Sequence, residues 1–435
     1  MFLLIVGLLG GLALFLYGIQ LTSEGLKLTA GARLRSIMMK LTSNRLMGVT
    51  VGVLLTVLNQ SSSATTVMLV SLASAGLIAL GQALGVILGA SIGTTLTVQL
   101  IAFKIYDFAL LIVAIGFGMM FLCKKKVYKY TGQILLGFGL IFHGMRVMST
   151  SMHPLQEEAF FKWFLISLGD EPLLGIIVAA IFTGIVQASA ATIGIVLTAA
   201  MGGLITLKAA IPLLLGANIG TCITALLGSI GASRKGKQVA LAHIIFKVIG
   251  VALVFVILGP FTKLIALTAK DLPRQIANAH TIFNVGIMIV FLPFFGLFLK
   301  LIQRLLPSRP EEEVIFGPKY LDERILETPS LAIEQAHREI IRAANTTKWM
   351  LRNSIDVFGK GDLNLLEEVK RKDDEVDILN KAVVKYLSKL AQQELSDEES
   401  RMQSGFLCVL DDLENIGDII SKNIMPLASK MINGS

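Results

Sequence analysis

Between residues 2 and 302 the sequence carries apolar runs of membrane length at about 2–22, 84–102, 107–123, 130–149, 209–230, 238–258 and 277–302. A hydrocarbon core about 30 Å thick is crossed by roughly 20 helical residues. A backbone inside that core must satisfy its own hydrogen bonds, so helices are the natural spanning elements for runs of this kind. The runs predict an all-α polytopic membrane protein with seven full spans. Hydrophobic residues make up 54% of the chain and charged ones only 16%, which excludes a purely water-soluble enzyme. The first run starts Met1-Phe2-Leu3-Leu4 and reaches Leu21 with no basic start and no small-residue cleavage site, so it is expected to remain as an uncleaved span.

Charge is segregated along the chain. Residues 1–303 hold 21 Lys and Arg against 7 Asp and Glu, whereas residues 304–435 hold 18 against 24. The basicity therefore belongs to the membrane part, where orientation explains it, and nucleic acid is not an expected partner. With the tail placed in the cytoplasm of a bacterial-type inner membrane, the connections at 24–45, 124–129 and 231–238 fall inside. They carry Lys27, Arg33, Arg35, Lys40 and Arg45, then Lys124, Lys125, Lys126 and Lys129, then Arg234, Lys235 and Lys237. The outer connection at 150–172 carries Glu157, Glu158, Asp170 and Glu171, and the 260–274 connection, with Lys263, Lys270 and Arg274, is the exception. Cys123, Cys222 and Cys408 show neither disulfide nor zinc spacing and read as packing residues.

Two further apolar stretches, 46–80 and 173–206, are broken near the middle by Gln60-Ser61-Ser62-Ser63 and Gln187-Ala188-Ser189. A straight helix over 46–80 would be roughly 50 Å long, too long for one crossing. Arms of about 13 to 17 residues suit a re-entrant hairpin with its tip at membrane depth. Residues 56–97 align with 183–224 without a gap, matching Thr56 with Thr183, Gln60 with Gln187, Ser62 with Ser189 and Thr65 with Thr192. Leu88-Gly89-Ala90 matches Leu215-Gly216-Ala217, and Ile92-Gly93-Thr94 matches Ile219-Gly220-Thr221. Gly11 and Gly18 echo Gly137 and Gly144, so the repeats take in about 5–123 and 130–258, with 277–302 as an extra span. Three crossings and one hairpin separate equivalent points, and an odd number of crossings inverts the second copy.

Where a helix breaks, the first amides of the second arm are unpaired and the positive end of its dipole faces the gap, which favours an anion. Ser62, Ser63, Thr65 and Thr66 add hydroxyls and Gln60 an amide, while carbonyls ending the first arm suit sodium. Neither cluster contains a charged residue, so an anion would be balanced by dipoles and by cations bound with it. Sodium is the expected coupling ion and protons are an alternative. His243 and His280 sit in a repeated AxAHxxF pattern, as proton carriers or as packing residues bonded to helix carbonyls; Lys247 and Asn284 hold equivalent places four residues on. Lys247 either faces the cavity or snorkels to the surface.

At these residues the chain resembles the type II sodium/phosphate cotransporter family, over about residues 5–300. The resemblance implies that Gln60-Ser61-Ser62-Ser63 binds inorganic phosphate and sodium, and that Gln187 and Ser189 keep part of a second such motif. It also implies ligand roles for Thr65 and Thr192, and cavity walls at Gly89, Gly93 and Thr94 and at Gly216, Gly220 and Thr221, with tight helix contact as the alternative; Thr94, Thr221 and Asn218 count among the expected substrate and sodium ligands.

A polar linker at about 304–329, with Pro307, Pro310, Glu311-Glu312-Glu313, Gly317 and Pro318, precedes amphipathic periodicity over 330–435 that predicts a cytoplasmic helical bundle. This tail resembles a PhoU-like domain. The resemblance implies metal-binding pairs at Asp373 with Asp377 and Glu414 with Asp418, holding a divalent or iron ion, although a solvated acidic face is the alternative. The reading is a non-enzymatic sodium-coupled phosphate symporter working inward by alternating access, with a homodimer and cytoplasmic signalling partners left open. A membrane-bound phosphate sensor and a symporter of another oxyanion are the alternatives.

Overall fold

A computed structural model of the chain describes residues 2–30, 44–103, 106–152, 154, 158, 169–307 and 316–433. Arg33, Arg35, Lys40, Glu157, Pro310 and Glu311-Glu312-Glu313 lie outside the described residues. All regular structure among the described residues is helical, as the apolar pattern predicts. The chain divides into two compact units, one of Met1–Ser74 with Ile78–Ser308 and one of Arg309–Ser435 with Ala75–Leu77.

The first unit opens with α1 (Phe2–Ala30), α2 (Arg45–Asn59), α3 (Ser62–Ser74), α4 (Leu80–Ile101), α5 (Ala109–Leu122) and α6 (Lys126–Met152). It continues with α7 (Pro172–Val186), α8 (Ser189–Met201), α9 (Leu207–Gly220), α10 (Cys222–Gly228) and α11 (Arg234–Val256). It closes with α12 (Leu258–Ala266), α13 (Leu272–Phe291) and α14 (Phe295–Leu305). Five stretches among the described residues are long and apolar enough to cross a bilayer: Leu4–Thr29, Leu80–Ile101, Lys126–Met152, Leu207–Gly228 and Arg234–Val256.

Two of the seven expected spans take another form. The 107–123 run yields α5, whose 14 residues reach about 21 Å before Lys124-Lys125-Lys126. The 277–302 run is bent by 83° between α13 and α14. Pro293 lies in the bend, where its missing N–H and its ring stop helix propagation. Beyond it, Phe295, Phe298 and Ile302 are buried while Leu297, Lys300 and Arg304 are exposed, so α14 packs by one face. Large apolar side chains such as Leu9, Leu122, Ile185 and Val256 remain exposed and form the lipid face. The basic exception at 260–274 has a local cause at Arg274, which donates to the Gln99 carbonyl at 3.2 Å and sits over the Phe103 ring. Its charge neutralises the negative end of the α4 dipole.

Glycine contacts give the helix directions. A β-carbon on Gly18 would lie 2.6 Å from the Gly137 carbonyl oxygen, and one on Gly11 would lie 2.8 Å from that of Gly144. α1 and α6 therefore run antiparallel, and the pairs are reciprocal, as two-fold-related surfaces require. Gly89 packs on Val49 and Gly93 on Thr56, so α2 and α4 are parallel; Gly216 packs on Ile176 and Gly220 on Thr183, so α7 and α9 are parallel too.

In the second unit α15 (Pro329–Lys360), α16 (Leu363–Leu390), α17 (Asp397–Asp418) and α18 (Met425–Asn433) form a bundle, with a π-helical turn at Ile419–Ile424. Met350, Val357, Leu366, Val369, Val376, Ile420, Met425 and Ala428 make one core cluster. Buried Glu339 accepts the Lys319 and Tyr320 amides and pairs with Arg342 at 2.8 Å, which fastens the preceding segment to α15. Cys222 is buried, Cys123 half-buried and Cys408 exposed, so packing does not account for the last.

Candidate functional site

The polar clusters sit where α2 gives way to α3 and α7 to α8. Gln60 and Gln187 are the only non-glycine residues with positive φ among the described residues, at 54° and 58°. This left-handed conformation ends a helix and reorients the chain, and for a residue with a β-carbon it costs of order 1–3 kcal/mol. Around Gln60 the compensation is visible: its Oε1 accepts from Thr97 Oγ1 at 2.5 Å and its Nε2 donates to the Val57 carbonyl at 2.6 Å.

A hydroxyl pair spans each break at the same nine-residue interval. Thr56 Oγ1 donates to Thr65 Oγ1 at 3.1 Å, and Thr183 and Thr192 Oγ1 atoms lie 2.6 Å apart. Ser61 caps α3, its Oγ accepting the Ala64 amide at 3.1 Å, so that hydroxyl is spent on the helix end. Ala188 occupies the same place in the second break and offers no side-chain cap. The amides of Ser62 and Ser63, and of Ser189 and Ala190, have no backbone acceptor among the described residues, as at helix starts generally. The Ser62, Ser63 and Ser189 side chains are buried, at 5%, 5% and 9% exposure, with no protein partner for their hydroxyls among the described bonds. Thr66 bonds the Ser62 carbonyl at 2.9 Å and meets His243 Nδ1 at 3.2 Å. Thr94 and Thr221 bond their own helices, at 3.3 Å to the Ala90 carbonyl and 2.8 Å to that of Asn218, while the adjacent glycines make the close helix contacts described above.

Four residues outside the clusters matter. Asn59 Oδ1 is buried without a donor among the described residues, a hard oxygen at the end of the first arm. Lys247 does not snorkel; only 3% exposed, it donates to Asn218 Oδ1 at 2.8 Å and Asn284 Oδ1 at 3.1 Å. The histidines are not satisfied by helix carbonyls as expected of packing residues: His243 Nδ1 meets a hydroxyl, and His243 Nε2 and His280 Nδ1 are buried without partners among the described residues. The repeated AxAHxxF pattern was the signal for this group, but spacing alone carried no sign that α9 would supply Asn218.

In the bundle, the carboxylates expected to hold metal are engaged elsewhere. Asp377 pairs with Lys381 at 3.7 Å and Asp418 with Lys422 at 2.5 Å, and Glu414 accepts from Asn380. No group of three or more His, Cys, Asp or Glu placed to hold a metal ion occurs among the described residues. The i, i+4 spacing that puts two carboxylates on one face also puts a lysine within reach of each pair. Burial pushes the Asp373 carboxyl above the usual range, helped by Asp418 and Asp377 and opposed by a Ser421 hydrogen bond and by Lys422.

An all-helical membrane protein with paired breaks, each presenting unpaired amides and hydroxyls inside an apolar unit, is of the solute-transporter class. The family model described as Na+/Pi-cotransporter matches twice in tandem, at residues 14–150 and 141–297, and the PhoU domain model matches residues 340–425. The chain belongs to the Na+/Pi-cotransporter family, as the motif resemblance implied, and carries a C-terminal PhoU domain. It is 28% identical over 429 residues to YjbB of Escherichia coli (strain K12), named as a proposed inorganic phosphate export protein, covering 98% of this chain and 78% of that one. YqeW of Bacillus subtilis (strain 168) is 31% identical over 257 residues, 59% of this chain and 83% of its own. The human sodium-dependent phosphate transport protein 2B is 36% identical over 116 residues, 26% of this chain and 14% of its own. No solved structure matches the chain.

Proposed function

We propose that the first unit is a sodium-coupled symporter of inorganic phosphate in a bacterial inner membrane, working by alternating access between inverted repeats at about 5–123 and 130–258. The observation that carries this reading is the pair of equivalent breaks, each with a left-handed glutamine, a threonine pair and unpaired amides. The parallel course of α2 with α4 and of α7 with α9 supports hairpins that return to their starting side, and the antiparallel α1 and α6 support inversion.

Phosphate oxygens would accept from the Ser62 and Ser63 amides and hydroxyls and from Ser189, with the dipoles of α3 and α8 behind them. Sodium would be held by neutral oxygens, with Asn59 Oδ1 and the Thr65 hydroxyl at hand and Gln60, Gln187 and Thr192 nearby in their hairpins. The bundle, at about 330–435, would lie in the cytoplasm and regulate transport.

Net direction would follow the combined sodium and phosphate gradients; the E. coli relative's name favours export as the second reading. The test is radiolabelled phosphate flux in proteoliposomes with sodium imposed on either side. Flux driven by the sodium gradient, and abolished in Ser62→Ala and Gln60→Ala, is expected. Flux indifferent to sodium, or unimpaired in both variants, overturns the reading, and binding without flux assigns a sensor.

A further inference from the structure

We propose that Lys247 is a built-in cation of the anion site, taking the place that a co-bound sodium ion would fill beside the second break. This deepens the function proposed above and rests on it. Lys247 lies 13 residues from Arg234 and 9 from Val256 on α11, near the middle of a crossing, so its ammonium cannot reach either surface. Its two partners are neutral amide oxygens whose direction is imposed: Asn218 Nδ2 donates to the Leu214 carbonyl at 3.0 Å and Asn284 Nδ2 to that of His280 at 2.9 Å. Each Oδ1 is thereby turned on the Nζ, a small cage of hard oxygens around one positive charge.

Among the described residues that charge has no carboxylate to pair with. The titratable groups in electrostatic range of it are Cys222 on α10, His243 one turn back on α11 and His280 on α13, none of which is an acid of the carboxylate kind. A buried ammonium without counter-charge costs several kcal/mol, and an anion bound nearby removes that cost. The third N–H of Nζ has no acceptor among the described bonds. The position is right for such a role. His243, on the same helix face, touches Thr66 of the first break, and Asn218 belongs to α9, the helix that packs along α7 beside the second break. The second break is also where hydroxyls are missing, with Ala188 and Ala190 standing where the first has Ser61 and Ser63. A fixed ammonium there makes up for lost hydrogen-bond donors and for one mobile cation.

The test is binding of radiolabelled phosphate to the purified full-length protein over a series of sodium concentrations, with choline keeping ionic strength constant. Lys247→Met is expected to bind about tenfold to a hundredfold more weakly at low sodium, the loss of a charged hydrogen-bond partner. Its affinity should also climb more steeply with sodium, by about one ion in the logarithmic slope, as sodium takes the vacated cage. Asn284→Asp keeps the lysine but neutralises it in place, and is expected to lose affinity without the steeper slope, which a merely structural lysine would not produce. Equal affinities and slopes in wild type and Lys247→Met overturn the inference alone. Failure of the wild type to bind phosphate, sulfate or arsenate at any sodium concentration overturns it together with the proposed function.

Discussion

Gln60 and Gln187 show how single positions create the site. Glutamine has no preference for the left-handed region, so its presence there is held by surroundings, at Gln60 by Thr97. Gln60→Gly removes the backbone strain together with the hydrogen bonds, whereas Gln60→Ala removes only the bonds. We expect Gln60→Ala to be about 1 kcal/mol less stable than Gln60→Gly, with neither binding phosphate, as read by thermal unfolding and equilibrium binding. The Thr183–Thr192 pair gives a second check. Thr183→Val leaves the buried Thr192 hydroxyl without its 2.6 Å partner and should cost about 1–2 kcal/mol, while the double Thr183→Val, Thr192→Val change should cost less. The glutamines and serines were legible because a polar cluster in an apolar run is conspicuous. Asn59 was not, and for Lys247, read as facing the cavity or snorkelling, and Asn218, read as a ligand, the sequence did not show that they pair, because that contact joins helices far apart in the chain.

Among helices, small residues set the approach. The glycines read from sequence either as cavity wall or as tight contact prove to be contact: a β-carbon on Gly89 would lie 1.9 Å from the Val49 carbonyl oxygen. Gly89→Ala should therefore splay α2 from α4 and cost about 1–3 kcal/mol. Gly286→Ala, at a helical glycine with open space around it, should be neutral or stabilising by up to about 1 kcal/mol. Thermal unfolding in detergent separates the two. The breaks in the 46–80 and 173–206 stretches were readable from length against membrane thickness. The bend at Pro293 was not read, because hydropathy averages over a proline and continues across it.

Over the molecule as a whole, the inverted arrangement and the bundle each make a distinct prediction. In a background with Cys123, Cys222 and Cys408 replaced, Ala79→Cys and Lys208→Cys, at the bases of the two hairpins, should react with an impermeant thiol reagent from opposite sides of the membrane. Labelling of both from one side would refute inversion. For the bundle, the raised Asp373 carboxyl fixes a sign. An acid whose folded pKa lies above its unfolded value supports the fold fully at low pH, and that support is lost as pH rises through the folded value. Asp373→Asn should unfold at a higher temperature than wild type at neutral pH and match it in acid, where Asp373 is protonated in both states, with Trp349 fluorescence reporting on the bundle.

The amino-acid order alone determined the helical class, the membrane-length runs, the duplication and the two polar clusters, because hydropathy and identity at a fixed offset are properties of neighbours in the chain. Tertiary structure decided which polar atoms stay unsatisfied, that Lys247 turns inward between two asparagines, and that the bundle's carboxylates meet lysines. Those outcomes depend on which helices pack together, and an ammonium's environment is set by groups that come near it only after folding.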